Sequence, residues 1–192
     1  AAEFGKSDLP ENYLALHVSG GTTEILKVEK AGYRIETIGG TKDISAGQTI
    51  DRIGVALGLP FPAGPHLERL CEGVTDTPYV FSSKGMGAYF SLSGVESAAQ
   101  RAIKAGADPK ELALGIFKSV ARHLVRSVRH CVEETGISTV LFSGGVCSNQ
   151  IIRSVIYNKL KGCDIRFGEP RLCSDNAVGV ALLTREAACS EN

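Results

Sequence analysis

The chain lacks several features that would assign it at once. Its six cysteines (Cys71, Cys131, Cys147, Cys163, Cys173 and Cys189) include no C-x-x-C pair, so neither a zinc ribbon nor a disulfide framework is expected. Reduced thiols in a cytoplasmic setting are the plain reading. No apolar run approaches ~18 residues, so no membrane span and no membrane partner is expected. The first dozen residues lack the basic-then-apolar order of a secretory leader, and residues 1–11 read as a linker or vector remnant. There is no net charge, with 21 Lys and Arg against 21 Asp and Glu, so only local clustering could argue for nucleic acid. The four histidines (His17, His66, His123 and His130) include no pair four residues apart. No Ser-His-Asp or Cys-His set can be placed together, so proteolysis has no support.

What remains is an ordinary globular balance, 43% hydrophobic and 22% charged over 192 residues, enough for one domain with a real core. The most informative stretch is Thr139 to Asn149. There an apolar run stops at Gly144-Gly145 and leads into a helical pattern from Ile151 to Lys161. Glycine at a strand end lets a ligand approach the backbone, and a following helix would offer free N–H groups to an anion. Tyr13 to Leu26 repeats the pattern as a hairpin whose tip is Ser19-Gly20-Gly21-Thr22. Two such tips in one domain suggest a nucleotide held between loops.

Alternating apolar runs predict an antiparallel meander over 12–18, 23–29 and 33–39. Helical spacing over 46–58 places Ile50, Ile53, Val55 and Leu57 on an apolar side. The Pro60 to Pro65 loop breaks it, and a short helix over 66–72 follows. Residues 73–92 read as irregular with short strands. Ser93 to Ala105 reads as a helix opened by a Ser-Gly-Val-Glu capping box. The longest helix runs from Asp108-Pro109 to Thr135 and is closed by Gly136, with Leu114, Phe117, Leu124, Val128 and Cys131 toward the core. Strand 138–143, helix 151–161, strand 164–167 and a helix over 177–188 capped by Ser174-Asp175-Asn176 complete the order. The order β-β-β-α, α-β-α-β-α predicts an α/β fold, a mixed five-stranded sheet with helices on both faces.

This is the order of a ribonuclease-H-like half of the actin-like ATPase (ASKHA) fold. Six motifs in sequence narrow the resemblance. They are Val18-Ser19-Gly20-Gly21-Thr22-Thr23; Asp43 to Asp51 as D-x-x-A-G-x-x-x-D; Gly58 to Pro65; Phe90-Ser91-Leu92-Ser93-Gly94; Ser143 to Asn149; and Cys173-Ser174-Asp175-Asn176. On these the chain resembles the second half of a TsaD-group protein, a family that transfers threonylcarbamoyl from an adenylate to a tRNA adenosine. The resemblance implies ATP or an adenylate as ligand. His17, Val18, Ser19, Gly20 and Gly21, with Thr22 beside them, would line its phosphate side. Asp51 and Gly64 would meet the ribose and adenosine, and Asn149 beside Gly144 and Gly145 would complete that pocket. Asp175 would be a ligand of the divalent iron or zinc of the intact family protein.

The chain departs from the family at several points. The family's H-x-x-x-H metal pair belongs to the preceding half, which leaves one carboxylate here, and three ligands are needed. Thr22 stands where the family usually has His, and Gln48 where it has Glu. These departures point to a divergent bacterial paralogue. Residues 12–192 are then expected to be a single lobe, inactive alone, with a non-catalytic nucleotide- or partner-binding scaffold as the alternative. Phosphoryl transfer of the sugar-kinase kind is disfavoured by the Asp-x-x-Ala-Gly and Phe-Ser-x-Ser-Gly motifs. Expected partners are a nucleotide, tRNA, and a protein or second copy at the surface facing the first lobe.

Plainer readings stand beside these. Asp51 could be a solvated helix residue, and Asp175 an N-cap. Thr22 and Thr23 could be hairpin formers, and the Phe61–Pro65 loop a rigid connector. Lys118, Arg122, Arg126 and Arg129 form a basic stripe that could track tRNA phosphates or be a solvated helix face. The lack of interleaved aromatics favours the second. Cys147 is either a thiol activated beside a helix N-terminus or small-residue packing.

Overall fold

Residues 9–82, 85–169, 173 and 177–190 are described by the computed structural model. The Ser19–Thr22 tip returns the chain on itself, so β1 (Asn12–Val18) and β2 (Thr23–Glu29) pair antiparallel, from Asn12 opposite Glu29 to Val18 opposite Thr23. The third strand, β3 (Arg34–Thr41), continues the meander, with a register shift at Ile25/Leu26. Helices α1 (Ala46–Ala56) and α2 (Gly64–Leu70) follow, then two-residue strands β4 (Gly85–Met86) and β5 (Tyr89–Phe90). Next come α3 (Ser93–Lys104), α4 (Pro109–Thr135), β6 (Thr139–Ser143), a 3-10 turn over Gly145–Ser148, α5 (Gln150–Lys159), β7 (Asp164–Phe167) and α6 (Ala177–Ser190).

The sheet order is β4-β5-β3-β2-β1-β6-β7. The five strands expected from alternation all form, three antiparallel and two parallel to β1, and β4 and β5 lengthen the β3 edge. Alternation sends Leu14, Leu16 and Val18 of β1, with Val140 and Phe142 of β6, into one core cluster. Ile53, Leu67, Leu112, Ile116, Phe117 and Leu124 of the helices fill it. Tyr13, Val28 and Leu141 point to the opposite face, with Leu9.

Local chemistry explains most helix limits. Asp108 accepts from the N–H groups of Lys110 and Glu111, Pro109 takes the first helical position, and Gly136 ends α4 at φ 70°. Leu114, Phe117, Leu124, Val128 and Cys131 are all buried, as their spacing requires. On α1 the agreement is partial: Ile50 and Ile53 are buried, whereas Val55 is 51% exposed. Helix α2 begins two residues before the expected His66, because Pro65 is tolerated in a first turn.

The expected capping box at Ser93 does not form. Leu92 is the N-cap of α3 and its side chain offers no acceptor. The acceptor comes from elsewhere in the chain, since Asp43 takes the N–H groups of Leu92 and Ser93 at 2.9 and 3.2 Å and the hydroxyl of Ser91. Burial alone would raise the Asp43 pKa, but these bonds and one from the Ser93 hydroxyl outweigh it and hold it at about 2. Glu96, the expected box partner, instead pairs with Arg52 at 3.2 Å. A capping box does form on α1, where Ser45 and Gln48 exchange bonds.

Candidate functional site

The hairpin tip is built from the Ser19 side chain. Its Oγ accepts from the N–H of Thr22 at 3.1 Å, while Ser19 N–H donates to Thr22 O at 2.8 Å. The tip is then fastened to α1. Ser45 Oγ donates to Gly20 O at 2.7 Å, Ala46 N–H to Thr23 Oγ1 at 2.9 Å, and Gly47 N–H to Ser19 O at 3.2 Å. Thr23 therefore does structural work, and the α1 N-terminus is satisfied by the protein itself. Gly47 makes this contact feasible, because a Cβ there would sit 2.5 Å from Gly20 Cα and from Ser19 O.

Asp51 leaves α1 toward the proline loop. Its Oδ1 accepts from Ala63 N–H at 2.7 Å and Gly64 N–H at 3.3 Å, so the two residues expected to meet the ribose and adenosine are joined directly. Oδ2 has no partner among the described residues. Asp51 is half-buried, so it is more than a solvated helix residue.

At the second tip, Gly144 has φ 94°, and a Cβ there would lie 2.2 Å from Val18 O. The close β1–β6 approach thus fixes that glycine, whereas Gly145, like Gly20 and Gly21, faces open space. The helix beyond is not open to an anion as expected. Asn149 Oδ1 caps α5 by accepting from Ile152 N–H at 2.9 Å, and Glu68 Oε1 of α2 accepts from Gln150 N–H at 2.7 Å. A carboxylate of the protein already occupies the place an anion would take. Cys147 is fully buried, and burial pushes its thiol far above the usual range. The activated-thiol reading falls, and packing accounts for it.

These elements surround a cavity of about 450 Å³. Of the residues expected at a site, Gly20, Asp51, Gly64, Gly145 and Asn149 line it. Its apolar wall includes Ile50, Pro62, Pro65 and Phe117. Gly47 and Ser148, which stand in the quoted motifs without an assigned role, and Glu68, which lies outside them, also line it. Glu68 and Phe117 lie on helices whose contact with the tips no local pattern announces.

His17, Val18, Ser19, Gly21, Thr22 and Gly144 lie outside this lining. Val18 is core, Ser19 and Thr22 close the turn, and Gly144 packs on β1. His17 points to the sheet face opposite Val18, with Nδ1 3.3 Å from Ser143 Oγ. Burial lowers its pKa, opposed in part by Glu24 across the β1–β2 pair. Asp175 and its cap lie outside the described residues. Among the described residues no three His, Cys, Asp or Glu side chains are placed to hold a metal. None of the described helices is long and apolar enough to cross a membrane.

The family model described as "TsaD: tRNA N6-adenosine threonylcarbamoyltransferase" matches residues 2–182. A tRNA N6-adenosine threonylcarbamoyltransferase of Geobacillus thermodenitrificans is 36% identical over 181 residues, covering 88% of this chain and 52% of that protein. One of Thermus thermophilus is 34% identical over 176 residues, covering 91% and 54%. A probable bifunctional tRNA threonylcarbamoyladenosine biosynthesis protein of Methanobrevibacter smithii is 34% identical over 186 residues, covering 94% and 34%. The chain spans about half the length of the first two relatives.

Among solved structures, full-length HypF in its phosphate- and nucleotide-bound form matches with a TM-score of 0.75 at 14% identity, covering 88% of this chain and 38% of HypF. The 2-hydroxyisocaproyl-CoA dehydratase activator of Clostridium difficile, with bound ADPNP, matches at 0.64 and 18%, covering 95% and 63%. At such identities the likeness is one of fold, the ribonuclease-H-like half of the ASKHA architecture.

Proposed function

The chain belongs to the TsaD family of tRNA N6-adenosine threonylcarbamoyltransferases, and from that premise we propose that residues 12–192 are a nucleotide-binding lobe whose ligand is ATP or an adenylate. One observation carries the reading. Gly20, Asp51, Gly64, Gly145 and Asn149 come from distant parts of the chain and converge on one cavity. Pro62, Pro65 and Val146 offer an apolar surface for a flat base, and Gly20 and Gly145 leave the cavity free of side-chain bulk. Asp51 holds the Gly64 loop with Oδ1 and keeps Oδ2 for ribose hydroxyls. The Asn149 carboxamide caps α5 through its oxygen, which leaves its NH₂ to donate to the ligand.

In the whole protein this lobe would hold the adenylate half of the donor while threonylcarbamoyl passes to a tRNA adenosine. Its contribution is positioning, the part of catalysis that fixed hydrogen bonds supply. The activity belongs to both lobes together, and this chain by itself is expected to be inactive.

Calorimetric titration with ATP and then AMP, without added metal, tests the reading. Both should bind with about −4 to −8 kcal/mol, micromolar to low-millimolar affinity. Asp51→Asn keeps the loop acceptor but loses the charge, and should weaken both ligands about tenfold, an effect of ~1.4 kcal/mol. Absence of heat and of thermal shift at saturating ATP would sink the reading and move the partner-binding scaffold ahead.

A further inference from the structure

The basic stripe of α4 takes no part in the nucleotide cavity, and the structure divides it. At one end Lys118 Nζ donates to Thr75 O at 3.3 Å and lies 3.9 Å from Asp76. At the other end Arg129 donates to Lys159 O at 2.8 Å. Arg122 and Arg126 between them are exposed and have no hydrogen-bond or ion-pair partner among the described residues. They stand one helical turn apart, so their guanidinium groups can reach the same point. With Val80, Phe81, Ser82 and His123 they line a cavity of about 170 Å³.

The walls of that cavity are fixed. Phe81 N–H donates to Ser119 Oγ at 2.9 Å and Thr77 Oγ1 to Glu111 O at 2.7 Å, which holds the 77–82 segment against α4. His123 is buried and donates from Nδ1 to Ser119 O at 2.7 Å. Burial lowers its pKa, the Ser119 carbonyl opposes this and Arg126 adds to it, so the imidazole is neutral and the charge in the cavity is that of the two arginines. Among the described residues no carboxylate lines it.

We infer that Arg122, Arg126 and the Ser82 hydroxyl form a phosphate site that takes a backbone phosphodiester of an RNA strand. The phosphate chemistry rests on this cavity, and the choice of RNA rests on the function proposed above. One further observation favours a strand over a lone anion. Arg122 and Arg126 are about 6 Å apart in rise along the helix, so the pair can also reach neighbouring phosphates of one strand. The cavity shares no lining residue with the nucleotide cavity, so both can be filled together.

The test uses fluorescence anisotropy of the chain with a labelled mixed-sequence single-stranded RNA, titrated at several KCl concentrations. The Arg122→Gln/Arg126→Gln double variant should bind on the order of tenfold more weakly, with a salt slope smaller by about 1.4. The Arg122→Lys/Arg126→Lys variant should keep most of the affinity, which a purely structural role of the guanidinium groups would not allow. Unchanged affinity and slope in the Gln variant overturn the inference, as does a wild-type chain that binds no RNA at low salt. Inorganic phosphate that binds through the same arginines while RNA does not would make the source a small free anion and also overturn it. ATP titration of the same variants separates the two readings. If ATP fails to bind the wild type while the RNA effect persists, the nucleotide reading falls and the phosphate site stands.

Discussion

Asp43 and Asp51 belong to one motif, and the structure gives them different tasks. Asp43 caps a helix fifty residues away, so its carboxylate matters to folding, and its removal should leave the cavity intact. Asp43→Asn should cost about 1 kcal/mol in urea unfolding at neutral pH. Because the folded pKa is held at about 2, below the ordinary value, the stabilisation is complete above the unfolded value and fades as pH falls from about 4 toward 2. The gap between wild type and variant should therefore close across that window. A gap that stays constant down to pH 2 would contradict the assignment. The glycines divide in the same way. Gly144→Ala forces a Cβ onto Val18 O and should destabilise by about 2 kcal/mol or more. Gly145→Ala and Gly20→Ala meet open space and should change stability by less than about 0.5 kcal/mol while weakening ATP. Both kinds of glycine stand in the same Ser-Gly-Gly pattern. Which one meets a neighbouring strand depends on the β1–β6 register, and no local sequence encodes that.

Elements were legible wherever their ends are marked by neighbours in sequence. Helix α4 carries its own punctuation, Asp108-Pro109 before it and Gly136 after it, and its limits follow from those residues alone. Asp108→Ala, which leaves two N–H groups uncapped, and Gly136→Ala, which strains a left-handed residue, should each cost about 1 kcal/mol. Urea melts should show lower midpoints at unchanged slope, and a changed slope would mean that the element itself had altered. Helix α3 shows the opposite case. Its Ser-x-x-Glu pattern predicts a local cap, but Asp43 arrives from a distant loop and supersedes it. Strands β4 and β5, within the region expected to hold short strands, have two residues each, too few for alternation to fix their limits; β5 pairs with the β3 edge and β4 with β5. Val55 falls outside the buried stripe of α1 because α2 and α3 pack on the other side.

At the scale of the whole molecule, the cavity is where three stretches meet: the hairpin tip near Gly20, the α1–α2 unit from Gly47 to Glu68, and the turn from Gly145 to Asn149, with Phe117 of α4 behind them. The two Gly-Gly tips themselves suggested a shared nucleotide, and the family resemblance added the α1–α2 unit to them. Glu68 escaped notice, and Phe117 was read only as core, because nothing near them in sequence reports a contact across the fold. This arrangement has a thermodynamic consequence. A ligand seated among all three stretches binds the folded chain and not the unfolded one, so ATP should stabilise the molecule as a unit. At about one hundred times the dissociation constant the gain is ~2.7 kcal/mol. For a chain of this size that corresponds to a rise in Tm of about 5–10 °C. Asp51→Asn at the same ATP concentration should lose much of that rise, whereas Asp43→Asn, displaced to a lower starting Tm, should keep it in full. Equal rises in wild type and Asp51→Asn would place the nucleotide elsewhere on the surface, because Asp51 is the residue that joins α1 to the loop forming the opposite wall.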